Sequence, residues 1–224
     1  MIRLTSGRHA VALESLREGP GPTLLCLHAL RGRGVDYAPL APVWAGRVLA
    51  LDFSGHGASD RPRGAGYTPE LLVGDADAAL AHAGGEVCVV GAGIGAYVAL
   101  LLAGARPQQV RVAFLLPGAG LEGSGALPRT HLDGEALRVE VTALLEAAAQ
   151  RTAGPCDPML RLLDNDPRPP DYARAFADSA QRLLLAEDGE LRPPWWEAVR
   201  EAAAALRGPA DPRAGLAQLR ASVD

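Results

Sequence analysis

The sequence predicts an α/β fold, in which a doubly wound, mostly parallel sheet is followed by a helical half. Short apolar runs alternate with helical stretches as far as residue 116, which is the pattern of parallel strands covered by helices. From about residue 118 onward, Pro-rich breaks separate stretches that favour helix. We therefore expect a core sheet in residues 1–120 and a helical, cap-like region in residues 121–224 that packs on it.

Five apolar runs of the first half are predicted to be strands. Four are short and continuous, as in strands buried on both faces, whereas the first alternates weakly. They cover residues 8–16, 23–28, 47–52, 87–90 and 110–116. A short helix is expected near residues 37–44. Thr68 and Pro69 are typical of a helix start, an N-cap hydroxyl followed by proline, so a longer helix is expected from there to about His82.

The second half is expected to contain helices and no convincing strand. Helix is favoured in residues 135–151, 159–164, 172–187 and 193–207. The sheet would then end at the sixth strand of the fold, and its open edge would need cover. We expect the C-terminal helices to cover that edge, or a second subunit in a homo-oligomer.

Composition and charge argue against several classes of partner. The net charge is -4, and the charged residues do not gather into a long run, so we expect no nucleic-acid or membrane partner. Cys26, Cys88 and Cys156 lack metal-ligand spacing, so we expect no metal and a reduced, cytoplasmic protein. No apolar run reaches the ~18 residues of a membrane span, and the N-terminus lacks the apolar region of a signal peptide.

A glycine-rich turn, Gly91–Gly95, follows an apolar strand and precedes an apolar helix. It fits the nucleophile-elbow pattern G-x-S-x-G, except that glycine replaces serine. Gly91, Gly93 and Ala96 also fit G-x-G-x-x-G/A, in which backbone amides receive a pyrophosphate. That pattern requires an acid at the end of the next strand, where this chain has Leu116–Gly118 (Leu-Pro-Gly). A protein binding FAD or NAD therefore remains an alternative, and the preferred expectation is that there is no cofactor.

Three segments together carry a family resemblance. One apolar strand runs into Leu25–Ala29 (Leu-Cys-Leu-His-Ala), and another ends at Asp52 before the loop Gly55–Asp60 (Gly-His-Gly-Ala-Ser-Asp). The glycine turn follows further along the chain. In this combination, roughly residues 20–120 resemble the α/β-hydrolase superfamily. The resemblance implies that fold, a helical cap after strand six and a serine-hydrolase triad.

The chain departs from the family pattern at the triad positions. Gly93 stands at the vestigial nucleophile position. The family's general base belongs in the C-terminal segment, and none of the five histidines lies there: His9, His28, His56, His82 and His131. Asp211–Leu216 is similar to the segment that precedes strand seven in the family. Strands seven and eight, which bring the acid and the histidine, are therefore expected to be missing, and ordinary triad hydrolysis has neither nucleophile nor base.

What remains of the family's site is expected to be backbone. The Ile94 amide and an amide near Leu30 are predicted to form an oxyanion-like pair of donors. His28, Ala29 and Gly93 would lie beside them in a ligand pocket. The structural interpretation of His28 is that it fixes a loop.

Two carboxylates are secondary candidates. Asp52 either faces the pocket or caps the turn that follows it, and Glu122 would be a displaced acid shortly after strand six. We expect a non-catalytic pseudo-hydrolase that binds a small apolar or ester-like ligand, or a remnant without activity. A hydrolase with a non-standard catalytic arrangement is the other alternative. A Gly93→Ser change alone is not expected to restore hydrolysis.

Overall fold

A computed structural model describes residues 1–62, 66–121, 156–157, 159–160, 163, 168–187 and 192–221. These residues hold eight strands and five α-helices. The strands are β1 (Ile2–Ser6), β2 (His9–Arg17), β3 (Thr23–Leu27), β4 (Val48–Asp52), β5 (Val87–Ala92), β6 (Val110–Leu116), β7 (Leu183–Glu187) and β8 (Ala205–Pro209). The helices are α1 (Pro69–Ala83), α2 (Ile94–Ala105), α3 (Pro170–Ser179), α4 (Pro194–Arg200) and α5 (Pro212–Ala221).

All eight strands form one sheet in the order β1-β2-β4-β3-β5-β6-β7-β8. β2 is antiparallel to β1 and β4, whereas the remaining pairs are parallel. Helices α1 to α4 pack on one face of the sheet. The 3₁₀ turns Gly34–Tyr37 and Ala41–Val43 pack on the other face together with α5. The predicted doubly wound, mostly parallel sheet is confirmed.

The prediction that strands seven and eight are missing is wrong. β7 pairs with β6 and β8 pairs with β7, so the sheet extends beyond the expected boundary at residue 120. The predicted helix 172–187 divides into most of α3 and the strand β7, and the predicted helix 193–207 divides into α4 and the start of β8. The edge of β6 is thus covered by a strand of the same chain. This removes the reason for expecting C-terminal helices or a second subunit there.

The expectation that Asp211–Leu216 precedes strand seven is also wrong. This segment follows β8 and leads into α5. The carboxylate of Asp211 accepts a hydrogen bond from the Ala214 N–H at 3.0 Å, as an N-cap does. The Asp-Pro pair is therefore a helix start. Residues 122–155, which include the predicted helix 135–151, lie outside the described residues.

In the first half, the predicted strands agree with β2 to β6, and β1 is an additional strand. Helix α1 begins as expected, since the Thr68 hydroxyl accepts from the Leu71 N–H at 3.3 Å and Pro69 is its first residue. The helix expected near residues 37–44 is replaced by the two 3₁₀ turns. In the part of the chain that the structure describes, no helix has the length and apolar character needed to cross a membrane.

Candidate functional site

The turn between β5 and α2 is a tight strand-to-helix elbow. Gly93 has φ 54° and ψ -120°, and its positive φ is the left-handed region that favours glycine. A Cβ on Gly91 would lie 2.7 Å from the Ala96 nitrogen, and one on Gly95 would lie 2.6 Å from the His28 carbonyl oxygen. The glycines are therefore required by the close approach of the chain to itself.

Two backbone amides of the elbow region converge on a single oxygen atom. The N–H groups of Leu30 and Ile94 both donate to the carbonyl oxygen of Ala119, each at 3.0 Å. These are the two amides proposed from the sequence as an oxyanion-like pair, and the fold brings them together. Their acceptor belongs to the chain itself, so in this conformation both donors are already engaged.

Ala119 lies in residues 118–121, which follow β6 and cover the elbow; we call them the covering segment. A Cβ built on Gly93 would overlap the Ala119 carbonyl oxygen and lie 2.6 Å from the Gly118 carbonyl carbon. A side chain at position 93 and the covering segment therefore exclude each other. The missing side chain of Gly93 provides the space that the Ala119 carbonyl fills.

Leu121 fixes the far end of the covering segment. Its side chain is fully buried, and its N–H donates to the Leu163 carbonyl at 2.9 Å. Its own carbonyl accepts from the Trp195 Nε1–H at 2.9 Å. The φ of Leu121 is 56°, a left-handed conformation that costs a non-glycine residue roughly 1–2 kcal/mol. Contacts from two other parts of the chain thus hold a strained residue in place.

His28 and His56 form a buried pair beside the elbow, with ring centroids 4.7 Å apart. The Nδ1–H of His28 donates to the Ala29 carbonyl at 2.8 Å, and its Nε2 accepts from the Phe53 N–H at 3.0 Å. The Nε2 of His56 accepts from the Arg31 N–H at 3.1 Å, and its Nδ1–H donates to a backbone carbonyl of its own loop at 3.2 Å. Both imidazoles use both nitrogens to fix backbone, which agrees with the structural interpretation of His28.

Burial keeps these two imidazoles neutral. Desolvation lowers the pKa of His28 to about 4 and that of His56 to about 3. For His56, the neighbouring His28 lowers the pKa further. Neither imidazole combines a free nitrogen with the near-neutral pKa that suits a general base.

Asp52, a secondary candidate, lies at the end of β4 and serves backbone amides. Its Oδ1 accepts from the Gly34 N–H at 2.7 Å, and its Oδ2 accepts from the Ala58 N–H at 2.9 Å. Both oxygens fix loops, as in the capping interpretation of this residue. Glu122, the other secondary candidate, lies outside the described residues.

The resemblance places the catalytic acid and the catalytic histidine at strands seven and eight. In this structure the corresponding strands are β7 and β8. β7 ends at Glu187, whose carboxylate pairs with Arg200 Nε at 3.1 Å and Arg207 Nη1 at 3.3 Å. β8 ends at Pro209, and α5 begins at Pro212 with no histidine between them. A carboxylate is therefore present, but two guanidinium groups hold it and no imidazole follows the last strand. Within the described residues, no cluster of side chains suits a metal ion.

A histidine left unassigned by the sequence lies in a second polar cluster. His9 Nε2 is 3.0 Å from Asp75 Oδ1 and 2.6 Å from Ser54 Oγ, and the Ser54 N–H donates to Asp75 Oδ2 at 2.8 Å. These are triad residue types, but both partners approach the same ring nitrogen and Ser54 is fully buried. The cluster therefore ties β2, the loop after β4 and α1 together, and it is not a catalytic triad.

Residues 24–223 match the family model described as the alpha/beta hydrolase family. The chain belongs to the α/β-hydrolase family. No curated protein matches this α/β-hydrolase-family chain.

Several solved structures share the fold of this α/β-hydrolase-family chain. The thioesterase domain from the curacin biosynthetic pathway is 20% identical with a TM-score of 0.70, and the match covers 99% of this chain and 97% of that one. The bottromycin epimerase BotH, in complex with bottromycin A2, is 22% identical with a TM-score of 0.63 and coverages of 99% and 95%. Rv0554 from Mycobacterium tuberculosis is 20% identical with a TM-score of 0.62 and coverages of 96% and 90%. At these identities the likeness shows the fold alone.

The residue of the elbow that sequence reasoning missed is Ala119. It acts through a backbone carbonyl, and every residue type carries one, so no pattern of side chains indicates it. The available signal was indirect: Pro117, Gly118 and Gly120 predict an irregular segment directly after β6.

Proposed function

We propose that this α/β-hydrolase-family chain is a non-catalytic member whose elbow holds a carbonyl group of its own backbone in place of a substrate carbonyl. The observation that carries the proposal is the pair of hydrogen bonds from the Leu30 and Ile94 amides to the Ala119 oxygen. In hydrolases, such a pair of donors stabilises the negative charge that develops on the substrate oxygen. In this chain the neutral carbonyl group of Ala119 accepts hydrogen bonds from both amides instead.

The missing side chain at Gly93 supports the same proposal. Loss of the nucleophile or of the base lowers turnover by on the order of a million-fold, and the residual rate comes from the oxyanion donors and from binding. In this chain the donors are engaged as well. The remaining source of catalysis is therefore also removed while the covering segment stays in place.

A binding role at the elbow would require a second conformation. A small apolar or ester-like ligand, the class expected from the sequence, would have to replace the Ala119 oxygen at the two amides. Because Leu121 lies two residues from Ala119 in the covering segment, we expect that exchange to break its hydrogen bonds with Leu163 and Trp195. We propose that ligand binding at the elbow, where it occurs, displaces the covering segment, and that a remnant without activity is the alternative.

The dinucleotide alternative has weaker support. A pyrophosphate would bind the first amides of α2, but the Ile94 amide is already bonded to Ala119.

Activity other than hydrolysis is compatible with the fold, since one structural neighbour is named an epimerase.

The first test measures turnover. We expect p-nitrophenyl butyrate to give neither a burst nor turnover above the uncatalysed rate, in the unmodified protein and in Gly93→Ala alike. A burst that is proportional to protein concentration and survives repurification would overturn the proposal and favour a hydrolase with a non-standard arrangement.

The second test measures the donors directly. Amide hydrogen exchange of Leu30 and Ile94, followed by NMR, should be slow in the free protein, because both N–H groups are bonded to Ala119. Addition of 2-heptanone, which offers a carbonyl without a leaving group, tests the binding role. Shifts at both amides together with a Trp195 indole shift support displacement of the covering segment, whereas rapid exchange without ligand contradicts the closed elbow.

A further inference from the structure

A cleft of about 980 Å³ lies away from the elbow, between the β1–β2 turn, the loop after β4 and the first turns of α1. The β1–β2 turn and the strand ends beside it contribute Ser6, Arg8 and His9 to its lining. Its volume lies within the range of small-molecule sites. None of the described residues that line it belongs to the elbow or to the covering segment.

Three polar groups of the turn lack partners in the described part of the chain. The Ser6 hydroxyl accepts and donates no hydrogen bond there, although the residue is only 6% exposed. The Arg8 guanidinium forms no ion pair, and the Nδ1 of His9 has no hydrogen-bond partner. All three residues line the same cleft, so an unpartnered hydroxyl, an exposed cation and a free imidazole nitrogen together indicate a place for a ligand.

The carboxylates of the cleft do not cancel this charge, because each already has an arginine partner. Asp60 pairs with Arg3 at 2.5 Å and accepts from a backbone amide at 2.9 Å. Glu70 pairs with Arg168 at 2.5 Å. Arg8 therefore places a positive charge at the lining that neither Asp60 nor Glu70 neutralises, and the carboxylate of Asp75 is fully buried behind His9.

Asp75 determines what His9 offers to a ligand. An ionised carboxylate only accepts hydrogen bonds, whereas the Ser54 hydroxyl, 2.6 Å from the same nitrogen, can accept as well as donate. We therefore assign the hydrogen to the His9 Nε2 that lies 3.0 Å from Asp75 Oδ1. In the neutral imidazole the Nδ1 is then an acceptor. The side chain of His9 is 11% exposed and that of Asp75 is fully buried, so the carboxylate fixes the ring from within. The Nδ1 of His9 therefore binds a ligand atom that donates a hydrogen bond.

We propose that this cleft binds a small oxyanion that also carries an O–H group, as inorganic phosphate does near neutral pH and phosphate monoesters do in their singly ionised form. Arg8 and the Ser6 hydroxyl bind the anionic oxygens, and the His9 Nδ1 accepts from the protonated oxygen. The combination selects against anions without a hydrogen, since their oxygen would face the Nδ1 lone pair. His9 is a binding residue here, and no chemical step is assigned to the site.

Inorganic phosphate and sulfate form a matched pair of probes, because sulfate has a similar shape but no O–H group near neutral pH. Binding is followed by the backbone amide shifts of residues 6–9 and by the His9 ring nitrogens. We expect phosphate to bind with a dissociation constant of about 1 mM or below, and sulfate to bind about tenfold more weakly. Equal affinities, or no shift up to about 50 mM phosphate, would overturn the proposal.

Substitutions separate a built site from diffuse charge. Arg8→Gln should weaken both anions about fivefold, whereas Arg17→Gln, the same change at an exposed position of β2, should weaken neither. Ser6→Ala should weaken both anions without changing the unfolding midpoint. Equal effects of the two arginine variants contradict a defined site.

His9→Gln tests the selectivity. Its side-chain amide can donate to sulfate as well as accept from phosphate, so the two affinities should come within about threefold of each other. An unchanged preference for phosphate contradicts the role of Nδ1. If this variant unfolds, because His9 also bonds Asp75, the Ser6 and Arg8 variants still decide whether the cleft is a site.

Discussion

The polar groups of the elbow and those of the β1–β2 cleft differ in whether they have hydrogen-bond partners within the chain. At the elbow, the Leu30 and Ile94 amides are bonded to Ala119, and the covering segment fills the space beside Gly93. In the cleft, Ser6 and Arg8 have no partner among the described residues. The difference teaches that the sequence motif which identifies a family need not mark the surface that is available to a ligand. Here the donors of the recognisable motif are already bonded, and the polar groups without partners lie in the cleft.

The largest expected effect is acid destabilisation of the closed region. The pKa values of His28 and His56 are lowered by burial to about 4 and about 3, from 6.5 in the unfolded chain. As pH falls below 6.5, the unfolded chain binds protons that the folded chain does not. The free energy of unfolding should therefore fall by up to roughly 1.4 kcal/mol per pH unit for each histidine. Urea unfolding between pH 7 and pH 4 measures this loss, which should total several kcal/mol.

His56→Gln removes one titrating group and should reduce that slope, even if it lowers stability at neutral pH. His82→Gln is the matched control for the substitution itself, because His82 is exposed on α1. A slope that is the same in all three proteins would show that the buried pair does not control the acid response.

The next largest effect concerns the overlap at the elbow. Gly93→Ala should destabilise the fold by about 3 kcal/mol or more, because it adds a clash with the Ala119 carbonyl to the cost of a positive φ. Gly85→Ala is the control: Gly85 has φ 60° and nothing within 4 Å of an added Cβ, so only the backbone cost of about 1–2 kcal/mol applies. If urea unfolding gives equal losses of unfolding free energy for the two variants, the covering segment moves aside from the added Cβ at little cost.

A smaller effect should come from the indole that holds Leu121. Trp195→Phe leaves the buried Leu121 carbonyl without its donor, whereas Trp196→Phe removes a buried Nε1–H that has no hydrogen-bond partner. The two changes remove similar volume. We therefore expect the Trp195 variant to lose about 1–2 kcal/mol more than the Trp196 variant in urea unfolding. The reverse order would contradict a fixed covering segment.

The smallest effect distinguishes bonded from free hydroxyl groups. Ser59 accepts from the Ala12 N–H at 2.8 Å and donates to the Asp52 carbonyl, so Ser59→Ala should cost about 1–2 kcal/mol. Ser6→Ala should change the unfolding free energy by no more than about 0.5 kcal/mol, because its hydroxyl has no partner to lose. A large loss at Ser6 would reveal a structural role and weaken the case for a ligand in the cleft.

The first half of the fold was predictable because its strands are short apolar runs between clear turn signals, and because Thr68 and Pro69 define a helix start. β7 was missed because Leu183–Ala186 is a continuous apolar run of good helix formers, which periodicity cannot assign. β8 contains Gly208 and Pro209, which are depleted in strands and tolerated at the end of an edge strand. Pairing with β7, a non-local contact, decides its structure.

The site was predictable only as far as local geometry determines it. The elbow places the Ile94 amide, and the adjacent end of β3 leads to Leu30, so the donor pair follows from the motif and the sheet order. The acceptor does not, because Ala119 comes from the segment after β6 and acts through its backbone. The polar cluster of His9, Ser54 and Asp75 was invisible for a related reason: its members come from three separate parts of the sequence.

The Ala119 carbonyl also limits what a single mutation can do at position 93. A serine introduced there would meet an oxygen already bonded to two amides, so the variant is expected to lose stability before it gains a nucleophile. A stable side chain at this position therefore requires the covering segment to move in the same step, or an earlier change in that segment that has no benefit of its own. Gly93 and the covering segment are thus expected to change together or not at all.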